Sequence, residues 1–114
     1  MTLNPQNVYS IALKRDADFW QDELTLTDEL GALVTLSSAE LIIHPSGVID
    51  PVVWNESNGK LLLPSPGVIG FSLTIEDIAG YQWKTGRYCL ALVFSNGKRD
   101  GSFLRGSVSI AEAC

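Results

Sequence analysis

The chain has 114 residues, of which 46% are hydrophobic and 18% are charged, and its formal net charge is −5 at pH 7. This length and apolar content suit one folded domain with its own core and exclude a disordered chain. The net negative charge and the scattered Lys and Arg residues disfavour nucleic acid as a partner, because affinity for phosphate depends on clustered positive charge. No apolar stretch approaches the length that crosses a membrane, so we expect no membrane association.

The first residues and the cysteines bear on where the chain is made. The N-terminus has no charged segment followed by an apolar run, so we expect no signal peptide and synthesis in a reducing cytoplasm. The two cysteines, Cys89 and Cys114, do not have the spacing of a disulfide framework. The sequence is compatible both with free thiols and with a pair between them.

Short alternating segments separated by turn residues fill the chain from Val8 onward. Residues 1–7 lack this pattern and predict a flexible N-terminal arm, which leaves residues 8–114 as a single β-sandwich domain. Pro51 interrupts one of the segments and places it at a sheet edge, because proline cannot donate a ladder hydrogen bond. The predicted strands, in chain order, cover residues 8–14, 19–26, 32–36, 39–43, 48–54, 60–63, 68–75, 83–94 and 102–110.

Residues 76–83 are the only candidate helix, which is at most about two turns long because Gly80 weakens it. Turn signals recur about every ten residues, a spacing typical of an all-β sandwich or a small barrel. No helix is long enough to connect parallel strands across a sheet, which disfavours an α/β fold. We therefore expect an all-β domain.

The clearest pattern is a long antiparallel hairpin over residues 83–110. Its first strand alternates from Tyr88 to Phe94, and its second strand places Leu104 inward and Phe103 outward. The loop between them contains an Asn-Gly and an Asp-Gly pair, which favour tight hairpin turns. Gly106 falls on the inward face, where a missing side chain indicates a bulge or a close neighbour. The predicted core of the sandwich comprises Trp20, Phe71, Tyr88, Leu90, Leu92, Leu104 and Val108.

Tyr88 opens the first strand of this hairpin, two residues after Gly86. In immunoglobulin-like sandwiches, a tyrosine near the start of a strand often donates its hydroxyl hydrogen bond to upstream backbone. The alternative is a large strand residue whose hydroxyl lies in water at the edge of the sheet. The sequence leaves both interpretations open.

No constellation of catalytic or metal-binding residues stands out. His44 is the only histidine, and no nucleophile-elbow motif accompanies it. Ser46, Asp50 and Cys89 have no diagnostic spacing to it, so we interpret His44 as a solvated loop residue. The acidic residues at 16–23 lack the pattern of a calcium loop, and the glycines do not form a phosphate-binding loop. We expect no enzymatic activity, no cofactor and no metal site.

The aromatic residues allow two interpretations. Trp20, Trp54, Trp83 and Tyr81 could form a platform on which a sugar stacks, but packing in the core or at a subunit interface is the interpretation that the sequence favours. Trp20 lies on an apolar strand and is assigned to the core. Trp54 and Trp83 flank turns, which favours their exposure, so Trp54, Trp83 and Tyr81 are the candidates for interface or ligand contact.

A series of motifs follows in order along the chain. They are Asp18-Phe19-Trp20, Asp28-Glu29-Leu30-Gly31, residues 36–43 (LSSAELII), Asn58-Gly59-Lys60-Leu61, Gly67-Val68-Ile69 and a final segment from Gly86-x-Tyr88 to Val108. In this order the chain resembles the immunoglobulin-like N-terminal module of siphophage upper baseplate proteins, a family of small tailed-bacteriophage structural proteins. It differs from the family at His44-Pro45, where an Arg is often present, and in the irregular segment 48–54.

The resemblance implies an immunoglobulin-like antiparallel β-sandwich of about seven to nine strands with at most one short helical turn. It also implies a non-enzymatic bacteriophage or prophage virion protein of the tail, baseplate or neck, made in the host bacterial cytoplasm. Its partners would be other virion proteins, and we expect a homo-oligomer because virion sites are symmetric. The second hypothesis is a carbohydrate-binding β-sandwich module, which depends on Trp54, Trp83 and the acidic turns.

Overall fold

The computed structural model describes residues 2–112, which form nine strands and one short helix. The prediction of an all-β sandwich with at most one short helical turn is confirmed. The elements are β1 (Thr2–Leu3), β2 (Ile11–Lys14), β3 (Phe19–Leu26), β4 (Leu36–Pro45), β5 (Val52–Asn55), β6 (Leu61–Ser65), β7 (Val68–Thr74), α1 (Ile75–Ala79), β8 (Thr85–Phe94) and β9 (Arg99–Ala111).

The strands form two sheets that pack face to face. One sheet has four strands in the order β1-β3-β7-β6, and the other has five in the order β2-β9-β8-β4-β5. The pairing is antiparallel except at β1, which runs parallel to β3, and at β2, which runs parallel to β9. The antiparallel arrangement that we predicted is corrected at these two edges. A four-residue turn joins β2 to β3, so the last residue of β2 lies at the end of the sandwich where β3 begins. The last residue of β9 lies at the same end, and β2 therefore runs parallel to β9.

The N-terminal segment is attached to both sheets. Thr2 and Leu3 pair with Thr25 and Leu26, and Leu3 is buried. The segment predicted as a flexible arm, residues 1–7, therefore contains a strand, because burial of an apolar side chain favours its pairing with β3. Residue 1 and residues 113–114, including Cys114, lie outside the described residues, so both alternatives for the two thiols stay open.

Alternation along the strands produces the core between the sheets. In β8 the side chains of Tyr88, Leu90 and Leu92 are buried, while the residues between them lie on the outer face. Successive side chains of a strand point to opposite faces, so a repeat of two residues accounts for both the buried face and the outer face of β8. Phe71, Leu104 and Val108 are also buried, and Trp20 is half-buried and packs against the core.

The β8–β9 hairpin contains an irregularity that the sequence did not reveal. Its register shifts between Leu90, opposite Leu104, and Leu92, opposite Asp100. Phe103 and Leu104 are consequently both buried, and the outward position predicted for Phe103 is wrong. A bulge adds residues to one strand and changes the side-chain alternation there. Phe103 packs edge-on against Phe94, with ring centroids 6.3 Å apart.

The single helix α1 is shorter than the predicted 76–83 segment and ends before Gly80. It begins with a capping box, in which the Thr74 hydroxyl accepts a hydrogen bond from the Asp77 amide and the Asp77 carboxylate accepts one from the Thr74 amide. This hydrogen bond from the Thr74 amide lowers the pKa of Asp77. Ile78 is fully buried, so α1 covers one end of the core.

Candidate interaction surface

The five-stranded sheet presents an outer face on the side away from the core, and we call it the open sheet face. On β4 and β8 its residues alternate with buried residues, and several of them are themselves only half-buried. Strand pairing places them in rows across the sheet. The face comprises Ser38, Glu40, Ile42, His44, Val53, Asn55, Arg87, Cys89, Ala91, Val93, Arg105 and Ser107.

The middle of the open sheet face is apolar. Ile42 lies directly opposite Cys89 on β8 and directly opposite Val53 on β5. Ala91 and Val93 extend this apolar area along β8, and all five side chains are half-buried. Interfaces between proteins commonly have an apolar centre and a polar rim.

Charged side chains lie toward the two ends of this face. His44 and Arg87 are directly opposite each other near the end of the sandwich that carries α1, whereas Arg105, opposite Cys89, lies in the same row as the apolar centre. Toward the other end, Glu40 is opposite Ala91. One end of the face is therefore basic, while a carboxylate lies on the other side of the apolar centre.

Two open depressions extend this asymmetry. The basic one is lined by Val8, His44, Arg87, Cys89 and Arg105, among others. The second is lined by residues that include Glu40, Asn55, Glu56, Ala91, Arg99 and Asp100, in which three carboxylates accompany one arginine. Neither encloses a small molecule as typical ligand sites do, and their mixed lining suits contact with another protein surface.

The floor of the basic depression is fixed by a contact between Tyr88 and the N-terminal segment. The buried Tyr88 hydroxyl donates a hydrogen bond to the Tyr9 backbone carbonyl. Gly106 lies directly opposite Tyr88, and a Cβ atom there would overlap the Tyr9 carbonyl oxygen and approach the Tyr88 ring to 2.8 Å. The close neighbour that the sequence predicted at Gly106 is therefore confirmed.

Burial and hydrogen bonding keep these tyrosines protonated. Burial raises the pKa of Tyr88 far above its ordinary value. Tyr9 donates its own hydroxyl hydrogen bond to the Asp22 carboxylate, and burial followed by this carboxylate raises the pKa of Tyr9. The interpretation of the Tyr88 hydroxyl as a group in water is wrong. Its backbone acceptor is upstream, as predicted, but it lies 79 positions away, in the segment between β1 and β2.

No protein-family model matches the chain. No curated protein is significantly similar to it. Inference about function therefore depends on the chain's own residues and geometry.

The tryptophans do not form a ligand platform. Trp54 is fully buried and Trp83 is 5% exposed, so the exposure that we expected from their positions beside turns is wrong. Trp54 points between the sheets from β5 and donates its indole hydrogen bond to the Tyr81 hydroxyl at 2.9 Å. Tyr81 is half-buried and stacks on Trp83, with ring centroids 5.2 Å apart. Trp54 also packs against Trp20 and Phe71, with both centroid distances 5.8 Å.

Arg15 closes the end of the sandwich opposite the β8–β9 turn. Its guanidinium donates to the backbone carbonyls of Ile78 at 3.3 Å, Tyr81 at 2.7 Å and Trp83 at 3.0 Å, and pairs with Glu112 at 3.1 Å. These contacts hold the connection between α1 and β8. Nothing in the local sequence around Arg15 indicates these acceptors, which are more than 60 positions away.

The residues weighed for catalysis are only partly brought together. His44 and Cys89 line the same depression, but no hydrogen bond joins their side chains within the described residues. The Ser46 hydroxyl is instead 3.3 Å from that of Thr85, and Asp50 lies in an exposed loop. In residues 2–112, no group of three or more His, Cys, Asp or Glu side chains could hold a metal ion.

The helical content also bears on membrane crossing. Within the part of the chain that the structure describes, no helix is long and apolar enough to span a bilayer.

Proposed function

We propose that the chain is a non-enzymatic bacteriophage or prophage virion protein that assembles into the tail, baseplate or neck through protein–protein contacts. The observation that carries this proposal is the open sheet face, which combines a half-buried apolar centre with charged ends. Such a surface is typical of a protein contact. The order of motifs from Asp18 to Val108 supplies the class of protein, and the sheet face supplies a means of assembly.

The strand order supports the immunoglobulin-like part of this proposal. In the four-stranded sheet, β1-β3-β7-β6 follows the A-B-E-D order of that fold, and β9-β8-β4 follows G-F-C in the other sheet. The edge strand β5 would correspond to the additional C′ strand. The parallel pairing of β1 with β3 is a departure from the usual arrangement.

Assembly as a repeated subunit would use the shape of the domain. Most loops are short, and the strands that carry the open sheet face are held by a closely packed core. A rigid face binds its partner without a large loss of conformational entropy. We propose other virion proteins and further copies of this chain as partners, and the virion as the location after synthesis in the host cytoplasm.

The carbohydrate-binding alternative has weaker support. It required exposed faces of Trp54 and Trp83, and both residues are buried. Sugar stacking needs an accessible aromatic face as well as polar acceptors. Titration of the protein with a glycan panel, followed by tryptophan fluorescence, tests this alternative. We expect no change in emission, and a saturable shift with any glycan would revive it.

Mass spectrometry of gradient-purified phage particles tests the proposed function. We expect peptides of this chain in intact particles at an abundance comparable with that of other tail or neck proteins. A phage replication enzyme from the same infected cells is the control, since it should remain in the lysate fraction. Absence of the chain from intact particles would contradict the proposal.

A further inference from the structure

We infer that Asn96 is a site of spontaneous modification, at which the side-chain amide is lost through a cyclic imide formed with the backbone of Gly97. The only co-reactant is water, and no enzyme or cofactor takes part. This inference goes beyond the proposed function and does not depend on it. It follows from a comparison of two turns that share one sequence and one backbone hydrogen bond but hold their asparagine side chains differently.

The same four residues, Ser-Asn-Gly-Lys, occur at two places in the chain. Residues 57–60 lie between β5 and β6, and residues 95–98 lie between β8 and β9. The glycine of each turn has a positive φ, 76° at Gly59 and 86° at Gly97, and both asparagines are exposed. Identical neighbours give the two asparagines the same intrinsic reactivity, so a difference in their rates must come from the fold.

The reaction requires a glycine after the asparagine and a carboxamide that can rotate toward it. The backbone nitrogen of the glycine attacks the asparagine Cγ, a C–N bond forms, and the side-chain nitrogen leaves as ammonia with the proton of the attacking amide. Water then opens the cyclic imide at either of its two carbonyl carbons, which gives aspartate or isoaspartate. Glycine has no side chain that hinders this approach.

The attacking amide is held in the same way in the two turns. The Gly59 amide donates a hydrogen bond to the Glu56 carbonyl at 3.2 Å, and the Gly97 amide donates one to the Phe94 carbonyl at 2.9 Å. Both distances are ordinary for a hydrogen bond from nitrogen to oxygen. Attack therefore breaks one such bond in either turn, and the backbone does not decide between the two sites.

The two carboxamides are held differently. Within residues 2–112, the Asn96 carboxamide makes one hydrogen bond, which its oxygen accepts at 3.0 Å from the backbone amide two positions ahead. The Asn58 oxygen accepts the equivalent bond at 3.1 Å and a further one from the Asn55 amide at 3.1 Å. The Asn58 nitrogen also donates to the Val53 carbonyl at 2.8 Å. Rotation toward the glycine therefore breaks three hydrogen bonds at Asn58 but one at Asn96.

The modification changes the charge at one end of the sandwich. Asn96 lines an open depression together with Asp28, Glu29 and Lys98, among others. Aspartate or isoaspartate at this position adds a carboxylate to the two already present. Isoaspartate also adds one carbon atom to the backbone of the hairpin turn. The reaction is therefore a one-way change in the charge and shape of an exposed turn.

Peptide mass spectrometry of the folded, full-length chain tests the inference. The chain is incubated in mildly alkaline buffer, and trypsin then releases residues 88–98 and 16–60, which contain Asn96 and Asn58 respectively. We expect amide loss to be roughly tenfold faster at Asn96, because Asn58 is held by two additional hydrogen bonds. Isoaspartate should accompany aspartate at position 96, since direct hydrolysis of the side chain gives aspartate alone. An unaged sample is the control for loss during digestion.

Unfolding and one substitution provide matched controls. In concentrated guanidinium chloride both turns are lost, so we expect equal rates at the two asparagines. Asn55→Ala removes the side chain that accepts the Asn58 backbone hydrogen bond at 2.9 Å, and it should quicken amide loss at Asn58 several-fold without a change at Asn96. Circular dichroism checks that this variant is folded. Equal rates in the folded chain, aspartate alone at position 96, or a difference that persists after unfolding would overturn the inference.

Discussion

The β8–β9 hairpin and the N-terminal segment are neighbours through the pairing of β2 with β9, but they are specified in different ways. The hairpin joins strands that are adjacent in sequence, and its alternation continues from Tyr88 to Leu92. Residues 2–15 instead pair with β3 and β9, whose sequence positions are remote from them. The comparison separates structure encoded by local periodicity from structure encoded by single long-range contacts.

The two regions meet at Tyr88. This residue belongs to the hairpin by its alternation, while its hydroxyl contacts the backbone of Tyr9 in the N-terminal segment. The missing side chain at Gly106 allows this approach. We therefore expect substitutions here to have the largest effects, because they affect the core and the attachment of the N-terminal segment together.

Removal of the Tyr88 side chain is the most severe test. Tyr88→Ala should lower the free energy of unfolding by roughly 3–5 kcal/mol, the usual range for a large aromatic residue truncated in a core. Tyr88→Phe keeps the ring and should cost about 1–3 kcal/mol, because the Tyr9 carbonyl loses its buried donor. Urea denaturation of the two variants measures both values. If Tyr88→Ala unfolds at the parent's urea concentration, the core assignment of the hairpin is wrong.

Gly106→Ala tests the close approach directly. The added Cβ would meet a backbone oxygen, which moves less easily than a side chain, so we expect a loss of about 3 kcal/mol, at the upper end of ordinary overpacking. Gly101→Ala in the same strand is the matched control, because nothing lies within 4 Å of a Cβ at that position. Thermal denaturation of the pair provides the measurement. Equal melting temperatures would contradict a steric role for Gly106.

The fold was predictable wherever local pattern and packing agree. Strands such as Phe19–Leu26 and Val68–Thr74 appear close to their predicted limits, because their alternation matches one buried face. The bulge that buries Phe103 was not predictable, since it depends on how β9 pairs with β8. The prediction for Trp54 was wrong for a related reason. A position beside a turn does not decide which face of an edge strand a residue occupies.

The candidate surface was harder to predict than the fold. The alternation from Tyr88 to Phe94 places Cys89, Ala91 and Val93 on one face of β8, but their neighbours on β4 depend on strand order. Strand order depends on tertiary packing, and no periodicity in the sequence indicates it. The proximity of Ile42 to Cys89 and of His44 to Arg87 therefore became visible only in the structure.

Arg15 tests the part of the structure that depends on long-range contacts, because this one residue contacts three distant backbone carbonyls. Arg15→Ala removes the guanidinium from three backbone carbonyls and should destabilise the protein by about 2 kcal/mol, since hydrogen bonds from a charged donor are stronger than neutral ones. Amide hydrogen exchange should quicken mainly between Ile78 and Trp83. Lys14→Ala is the control at an exposed neighbouring position. Exchange that is unchanged in this segment would show that α1 is held by the core alone.

The smallest effect expected is the pH dependence contributed by Tyr9. Its hydroxyl has a raised pKa in the folded state because of burial and the Asp22 carboxylate. A tyrosine in the unfolded chain ionises near its ordinary pKa of about 10, so the folded state binds the proton more tightly above that pH. The stabilisation from this group is complete below pH about 10 and declines as the pH rises further, by about 1.4 kcal/mol per pH unit for one proton.

Tyr9→Phe isolates this contribution, because the variant has no proton to lose at position 9. We expect the parent to lose stability more steeply than the variant between pH about 10 and 11.5, when urea denaturation is measured at several pH values. Tyr88 and Tyr81 also have raised pKa values and titrate in both proteins, so they cancel in the difference. Parallel stability curves over this range would mean that the Tyr9 hydroxyl remains in water, and the contact between Tyr9 and Asp22 would then contribute nothing to the attachment of the N-terminal segment.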